Sequence, residues 1–149
     1  MVTVDDLLRG HRRLGLDSNL FIYLFEAGGS EARTFGSLLD AAEASGTTMI
    51  VSSLTLAEVS VGPAMIQDEV MADRYLDAIR SIRRLEIVPM TADIAVDAGL
   101  LRGRTGYSQA DAIHLATARQ AGATAFVTND RRLRSSPRLH VVQLADLVA

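Results

Sequence analysis

Four acidic residues, spread over most of the chain, stand where a parallel α/β sheet would bring them together. Asp17, Glu58 and Asp130 each follow a predicted strand, and Asp111 lies in the first turn of a predicted helix. Carboxylates that lie within a few ångströms of one another raise one another's pKa unless a cation compensates their charge. Such oxygen ligands favour Mg²⁺ or Mn²⁺, and Mg²⁺ typically binds one or two carboxylates while it keeps several waters. The four acids therefore predict a divalent-metal site.

Such a site is suited to the hydrolysis of a phosphodiester bond. One or two bound ions would lower the pKa of the attacking water, neutralise the non-bridging phosphate oxygens and stabilise the leaving 3′ oxygen. No serine, histidine or cysteine nucleophile is then required. Because the formal net charge is -3, an acidic pocket without a cation would repel a nucleic-acid backbone, and the metal would also let RNA approach.

The hydrophobic pattern predicts strands that alternate with helices. Strands are predicted at 14–17, 47–51, 85–89, 124–128 and 139–142, and helices at 20–26, 31–45, 64–84, 91–102 and 108–122. A further short helix follows the second strand and is expected to end at Gly62-Pro63, and Gly103–Gly106 is expected to be a loop. This alternation is typical of a parallel sheet flanked by helices and joined by right-handed crossovers.

The predicted topology determines where the acids meet. In parallel α/β sheets, ligands bind beyond the carboxyl ends of the strands. Asp17, Glu58 and Asp130 follow the first, second and fourth predicted strands, so they share that edge. The helix that carries Asp111 precedes the fourth strand and must run antiparallel to it, which brings the helix N-terminus to the same edge. We therefore expect all four carboxylates in one site.

Composition predicts a single globular domain over residues 1–149. The chain has 48% hydrophobic and 22% charged residues, with no low-complexity tract. It has no cysteine, which excludes disulfides, thiolate metal sites and cysteine nucleophiles. The segment Met1–Leu16 lacks the apolar core of a signal peptide, and no segment approaches the roughly 18 apolar residues of a membrane span. We therefore expect a soluble cytoplasmic protein without membrane contact.

Four short motifs occur in order along the chain and resemble those of the PIN-domain nucleases, especially VapC-type toxins. They are Leu16-Asp17-Ser18-Asn19, Leu56-Ala57-Glu58-Val59, the segment 108–118 around Asp111, and Val127-Thr128-Asn129-Asp130. The resemblance runs from about Arg13 to Val142. It implies a three-layer α/β/α sandwich with a mostly parallel five-stranded sheet. It also implies an Mg²⁺- or Mn²⁺-dependent endoribonuclease that forms a homodimer and binds a small antitoxin protein.

The resemblance also assigns roles to single residues. Asp17 and Asp111 match the family's principal metal ligands, Glu58 matches the helix acid, and Asp130 matches a fourth acid that binds a second ion or orients water. Five polar residues would support them: Ser18, Asn19, Ser108, Thr128 and Asn129. The chain departs from the pattern in its N-terminal extension, residues 1–12, because many such toxins begin almost at the first strand.

Several residues keep competing interpretations. Each of the four acids could serve as no more than a helix cap, a solvated position or a turn former. Asp93 and Asp97 are rivals for the third acid, but the apolar residues of their helix mark a different side, which favours surface charge. His114, three residues after Asp111, could face the site, although a single histidine is more often packed or exposed.

Arginines cluster near two of the acids and could contact RNA phosphates or dock an antitoxin. The candidate RNA contacts are Arg131 and Arg132, directly after Asp130. The wider cluster comprises Arg134 and Arg138 after Asp130, and Arg102, Arg104 and Arg119 around Asp111.

Three other function classes fit part of the pattern. A phosphoacceptor domain such as a response-regulator receiver also places acids around Mg²⁺, but it relies on a lysine, and all 15 basic residues here are arginine. A phosphatase of the Asp-x-Asp type is disfavoured because Asn19 occupies the second acidic position. A non-catalytic PIN-like scaffold that binds RNA or protein would be expected to have lost acids, and all four are present.

Overall fold

The computed structural model describes residues 2–149 and contains seven strands and seven α-helices in that range. In chain order they are β1 (Val2–Thr3), α1 (Val4–Gly10), β2 (Arg13–Leu16), α2 (Ser18–Ile22), α3 (Gly29–Ser45), β3 (Thr48–Ser52), α4 (Leu54–Met65), α5 (Glu69–Ser81), β4 (Leu85–Val88), α6 (Ala92–Thr105), α7 (Gln109–Gln120), β5 (Ala125–Thr128), β6 (His140–Gln143) and β7 (Leu147–Val148). A π-helical turn, Tyr23–Ala27, follows α2, and a 3₁₀ turn, Leu144–Asp146, precedes β7.

The main sheet has five strands in the order β4-β3-β2-β5-β6, and every neighbouring pair is parallel. Strand β2 is central, with Gly15 opposite Ile50 on one side and Phe126 on the other. The prediction of a mostly parallel five-stranded α/β sheet is confirmed, and all five predicted strands are present. Their carboxyl ends form the edge to which the acids were assigned.

Helices cover both faces of this sheet because alternate residues of each strand point to opposite sides. Leu14, Leu16 and Val127 belong to a core shared with α1, α2 and α3. Ile50 and Phe126 belong to a second core, shared with α7 and the loop before β6. The structure is thus the three-layer sandwich that the resemblance implied.

A glycine in the central strand sets the distance between α7 and the sheet. A Cβ atom built on Gly15 would lie 2.6 Å from the Cβ of Ala118 and 2.8 Å from Cδ1 of Phe126. Real Cβ atoms essentially never make contacts shorter than 3.0 Å. Helix α7 can therefore pack directly on the backbone of β2, and this close packing fixes the position of the helix that carries Asp111 and His114.

The N-terminal extension is ordered and joins the end of the chain. Strand β1 pairs in parallel with β7, with Val2 opposite Leu147. Helix α1 begins at a capping box in which the Thr3 side chain accepts from the backbone N–H of Asp6. Val4, Leu7 and Leu8 of α1 are buried in the larger core. The segment for which the sequence predicted no element thus packs into the larger core of the fold.

Several predicted helix boundaries are wrong. Helix α4 continues through Gly62-Pro63 to Met65, because the break comes at Gln67, whose φ of 55° leaves the helical region. Asp68 then caps α5 by accepting from the backbone N–H of Met71 at 2.9 Å, so the predicted 64–84 helix is confined to Glu69–Ser81. Similarly, the predicted Gly103–Gly106 loop is mostly helical, because α6 continues to Thr105 and is capped by Gly106, which has a φ of 76°.

Within residues 2–149, no helix combines the length and the apolar character that a membrane crossing requires.

Candidate functional site

The four predicted acids lie on elements that end or begin at the carboxyl edge of the sheet. Asp17 directly follows the central strand β2 and is the N-cap residue of α2. Glu58 lies in α4, which follows β3, and Asp111 lies in the first turn of α7. Asp130 comes two residues after the end of β5. The topological argument from the sequence therefore places all four elements as observed.

Asp17 is the most deeply buried of these acids, with 4% of its surface exposed. Its Oδ1 accepts from the backbone N–H of Ser18 at 2.8 Å, and its Oδ2 accepts from the hydroxyl of Thr128 at 2.7 Å. The same hydroxyl accepts from the backbone N–H of Asp130 at 3.0 Å. Thr128, fully buried at the end of β5, thus links Asp17 to the segment that carries Asp130.

Glu58 is bound to His114. Its Oε1 forms a hydrogen bond with Nε2 of His114, whose side chain is almost completely buried, whereas 32% of the Glu58 side chain is exposed. The other ring nitrogen of His114, Nδ1, is buried and has no hydrogen-bond partner among residues 2–149. A histidine on α7 therefore holds the acid on α4 in place.

Two buried ionisable groups of the site, Asp17 and His114, have shifted pKa values. Burial raises the pKa of the Asp17 carboxyl, and nearby Asp111 adds to this effect, while His114 and the hydrogen bond from Thr128 oppose it. For His114, burial favours the neutral ring, but the hydrogen bond to Glu58 and the charges of Asp17, Glu58 and Asp111 outweigh it and raise the pKa. The charge of Asp111 thus contributes to the raised pKa of both groups.

Asp130 is held by an arginine two residues further along the chain. Nε of Arg132 lies 3.0 Å from Oδ1 and 3.2 Å from Oδ2 of Asp130, and Nη2 lies 2.6 Å from Oδ2. The backbone N–H of Arg132 also donates to Oδ1 at 2.9 Å. These hydrogen bonds hold the pKa of the Asp130 carboxyl below its usual range. Nη2 of Arg132 also lies 3.8 Å from Oδ2 of Asp111.

A cleft of about 500 Å³ opens beside Asp111. It runs between the turn that joins α6 to α7 and the segment after β5, and it is lined by Thr105, Gly106, Tyr107, Ser108, Asp111, Arg132 and Arg134. The Tyr107 hydroxyl accepts from the backbone N–H of Arg134 at 3.0 Å and so ties the two walls together. Of the four acids, Asp111 lines this cleft, together with two arginines, Arg132 and Arg134.

The residues predicted to support the acids have identifiable contacts. Ser108 caps α7 by accepting from the backbone N–H of Asp111 at 3.1 Å. Asn19 donates from Nδ2 to the Thr128 hydroxyl at 3.4 Å, and its buried Oδ1 has no partner among residues 2–149. Asn129 instead accepts from the backbone N–H of Ala145 at 3.1 Å and anchors the C-terminal segment.

The rival residues lie elsewhere. Asp93 is exposed in the first turn of α6, and Asp97 accepts from Gln120 at the C-terminal end of α7, the end opposite to Asp111. Arg119 and Arg138 line a separate depression with Asp97. Arg119 therefore does not lie beside Asp111 as predicted, and Arg138, predicted in the cluster after Asp130, shares its depression.

The two adjacent candidate RNA contacts, Arg131 and Arg132, diverge. Arg131 turns to Asp146, with Nη2 3.0 Å from Oδ1, whereas Arg132 turns to Asp130 and Asp111. The sequence analysis predicted the same role for both arginines, and no feature of the sequence distinguishes them. Sequence reasoning also favoured a packed or exposed His114 over one that faces the site. The spacing of three residues from Asp111 was the feature that could have indicated its contact with Glu58.

The donor set is suited to a hard cation with few protein ligands. Among residues 2–149, no three acidic or histidine side chains are grouped closely enough to ligate one ion as they stand. The reason is visible in two of the acids, since Glu58 is bound to His114 and Asp130 to Arg132. The buried Asp17 carboxylate, its neighbour Asp111 and the unpartnered Oδ1 of Asn19 offer oxygen donors, and Mg²⁺ needs only one or two carboxylates.

Comparisons with known proteins agree with this architecture. A family model described as the PIN domain matches residues 15–139. A toxin–antitoxin complex from Klebsiella pneumoniae matches with 26% identity and a TM-score of 0.63, over 85% of this chain and 94% of that chain. VapBC2 from Rickettsia felis, bound to a promoter DNA fragment, matches with 22% identity and a TM-score of 0.71, over 88% and 98% of the two chains.

A third solved structure, VapC20 from Mycobacterium tuberculosis, is described as a toxin that cleaves the sarcin-ricin loop. It matches with 21% identity and a TM-score of 0.61, over 76% of this chain and 86% of that chain. A comparison with curated proteins found no match.

Proposed function

The chain belongs to the PIN-domain family, and we propose that it is a divalent-metal-dependent endoribonuclease, the toxin of a cytoplasmic toxin–antitoxin pair. The observation that carries the proposal is the buried carboxylate of Asp17 at the end of the central strand, close enough to Asp111 for that charge to raise its pKa. A buried carboxylate in this position is stabilised by a cation rather than by water. The cleft beside Asp111 supports an extended substrate.

In this proposal Asp17 and Asp111 are the principal ligands of Mg²⁺ or Mn²⁺, with Glu58 and Asp130 as the further acids. When bound, the ion would activate a water molecule and neutralise charge on the scissile phosphate. Thr128 and Ser18 keep the Asp17 carboxylate in one orientation through the hydrogen bonds described above, and His114 does the same for Glu58. Hydrolysis would form a bond from water oxygen to phosphorus and release the 3′ oxygen with a proton.

Two protein partners are part of the proposal, a small antitoxin and a second copy of the chain. The similarity to the Klebsiella pneumoniae protein, described as part of a toxin–antitoxin complex, supports the antitoxin. The description of VapC20 as a toxin that cleaves the sarcin-ricin loop supports RNA as the substrate class. Of the candidate RNA contacts, Arg132 lines the cleft, and Arg131, paired with Asp146, stays a prediction.

The experiment that tests the activity is cleavage of a pool of structured RNAs by the purified chain with Mg²⁺, with Mn²⁺ and with EDTA. We expect cleavage with either ion and none with EDTA. Asp17→Asn and Asp111→Asn should abolish it, because each replaces a principal carboxylate ligand by a neutral amide. Asp93→Asn is the matched control, since it makes the same chemical change at an exposed position away from the site.

The opposite result has a definite meaning. If the chain cleaves no RNA with any ion, and binds RNA as tightly as its Asp17→Asn and Asp111→Asn variants do, the nuclease proposal is wrong. The PIN-like fold would then serve as a non-catalytic scaffold that binds RNA or protein. Loss of activity in Asp93→Asn equal to that in Asp17→Asn would instead remove the assignment of the site.

A further inference from the structure

Arg132 is held over the candidate site by an acid that has few oxygen lone pairs left for other partners. Asp130 receives the backbone N–H and the Nε and Nη2 groups of Arg132 on its two carboxylate oxygens. The nearby Thr128 hydroxyl contacts the backbone of Asp130 and not its carboxylate, because it accepts from the backbone N–H of Asp130. The carboxylate of Asp130 is therefore engaged chiefly with one guanidinium.

The guanidinium itself retains free donors. Arginine carries five N–H groups in a planar fork, and the pairing with Asp130 uses Nε and one edge of Nη2. Both N–H groups of Nη1 and one of Nη2 remain for a ligand. The side chain is 77% exposed and lines the cleft next to Asp111, whose Oδ2 lies 3.8 Å from Nη2. The free donors thus stand beside the acid and at the wall of the cleft.

We propose that Arg132 contacts a non-bridging oxygen of the RNA phosphate at the cleavage site, and that Asp130 is a positioning residue that acts through Arg132. This inference rests on the proposed nuclease function. Guanidinium groups bind phosphate through paired N–H donors, and a fixed cation stabilises charge that develops on phosphate oxygens in the transition state. Because Asp130 already orders the side chain, little rotamer freedom is lost when RNA binds.

The decisive variants are Arg132→Ala, Arg132→Lys, Asp130→Ala and the double variant of Arg132→Ala with Asp130→Ala. Arg83→Ala is the matched control, because Arg83 also pairs with an acid, Glu43, but precedes β4 and so lies at the opposite edge of the sheet. Three experiments are made: titration of the protein alone with Mn²⁺ for its affinity, RNA cleavage kinetics for kcat and KM, and RNA binding at several salt concentrations for its salt dependence. Binding is measured in the Asp17→Asn background, which is expected to leave RNA intact.

We expect Arg132→Ala to lower kcat on the order of 100-fold, as the loss of one transition-state donor does elsewhere. Mn²⁺ affinity should stay unchanged, and the slope of log Kd against log salt should fall by about 0.7, the value for one phosphate contact on single-stranded RNA. Arg132→Lys should lose less, since it keeps the charge without the fork. Asp130→Ala should lose activity with unchanged Mn²⁺ affinity, and the double variant should be no worse than Arg132→Ala alone.

Two results would overturn the inference. If Arg132→Ala matches Arg83→Ala in both kcat and salt slope, Arg132 does not contact phosphate. If Asp130→Ala weakens Mn²⁺ binding and its loss of activity multiplies with that of Arg132→Ala, Asp130 is a metal ligand rather than a positioning residue. Absence of RNA cleavage by the unmodified chain would end the proposed function, while the salt slope of RNA binding would still decide whether Arg132 contacts phosphate.

Discussion

The contact between Gly15 and helix α7 allows a prediction whose size follows from the coordinates. In Gly15→Ala, the added Cβ would lie 2.6 Å from the Cβ of Ala118 and 2.8 Å from the Phe126 ring. Neither neighbour is the free end of a flexible side chain, since Ala118 is fixed on α7 and Phe126 is fully buried between sheet and helix. Relief of the overlap therefore requires that α7 moves away from β2 and that the buried Phe126 ring shifts.

Such overpacking costs about 1–3 kcal/mol of unfolding free energy. For a chain of this length, each kcal/mol corresponds to a fall of about 2–4 °C in Tm. Because α7 carries Asp111 and His114, a shifted helix should also impair RNA cleavage. Urea unfolding followed by circular dichroism measures the effect as a lower midpoint with an unchanged m-value, and a cleavage assay below the transition measures the second effect.

Gly99→Ala is the matched control. Gly99 lies exposed within α6, and a Cβ there would meet no atom within 4 Å. Alanine in a helix interior is favoured over glycine by roughly 0.5–1 kcal/mol, so this variant should be more stable than the unmodified chain. If Gly15→Ala were as stable as the unmodified chain, the idea that close packing of α7 on β2 depends on the glycine would be refuted.

Three further predictions concern single hydrogen bonds and one titration. His114→Leu should weaken metal-dependent cleavage about 10–100-fold, because it releases Glu58. His114→Gln keeps a donor at the position of Nε2 and should retain most activity. Equal losses of activity in the two variants would contradict a hydrogen-bonding role of His114. Thr128→Val should lower the unfolding free energy by about 1–3 kcal/mol, because the buried Asp17 carboxylate loses a hydrogen-bond donor. Thr128→Ser keeps the hydroxyl and should not lower it. The midpoints of urea unfolding measure both effects. Burial and the charge of His140 lower the pKa of His11, so the unfolded chain binds that proton first and stability is lost as the pH falls below 6.5. His11→Gln should show a smaller loss of urea midpoint over that range, and an equal loss would assign the effect to other groups.

Much of the fold could be predicted because the five main strands are short apolar segments separated by amphipathic helices. Strands such as Ala125–Thr128 are buried along their whole length, and such strands are recognisable as nearly continuous apolar segments. The pairing of β1 with β7 could not be predicted in the same way. Each of these strands has two residues, and their pairing joins opposite ends of the chain, as Val2 and Leu147 illustrate. The pairing depends on tertiary packing, which local pattern does not report.

The backbone positions of the four acids could be predicted from the sequence. Topology alone places Asp17, Glu58, Asp111 and Asp130 at one edge, because parallel strands and the helices between them have fixed directions. Side-chain partners are a different matter, since they depend on rotamers and on a few ångströms of backbone position. No spacing rule indicates that Glu58 binds a histidine 56 residues away.

The side-chain partners of the four acids indicate which carboxylates are available to bind a cation. Glu58 is paired with His114 and Asp130 with Arg132, whereas Asp17 and Asp111 have no comparably close cation within residues 2–149. The 3.8 Å separation between Arg132 and Asp111 is more than 1 Å longer than its 2.6 Å contact with Asp130. Since Mg²⁺ takes one or two carboxylates and fills its remaining positions with water or phosphate oxygens, the two acids without such partners are sufficient. Under the proposed function, Asp17 and Asp111 would therefore hold the cation, while Glu58 is engaged by His114 and Asp130 by Arg132.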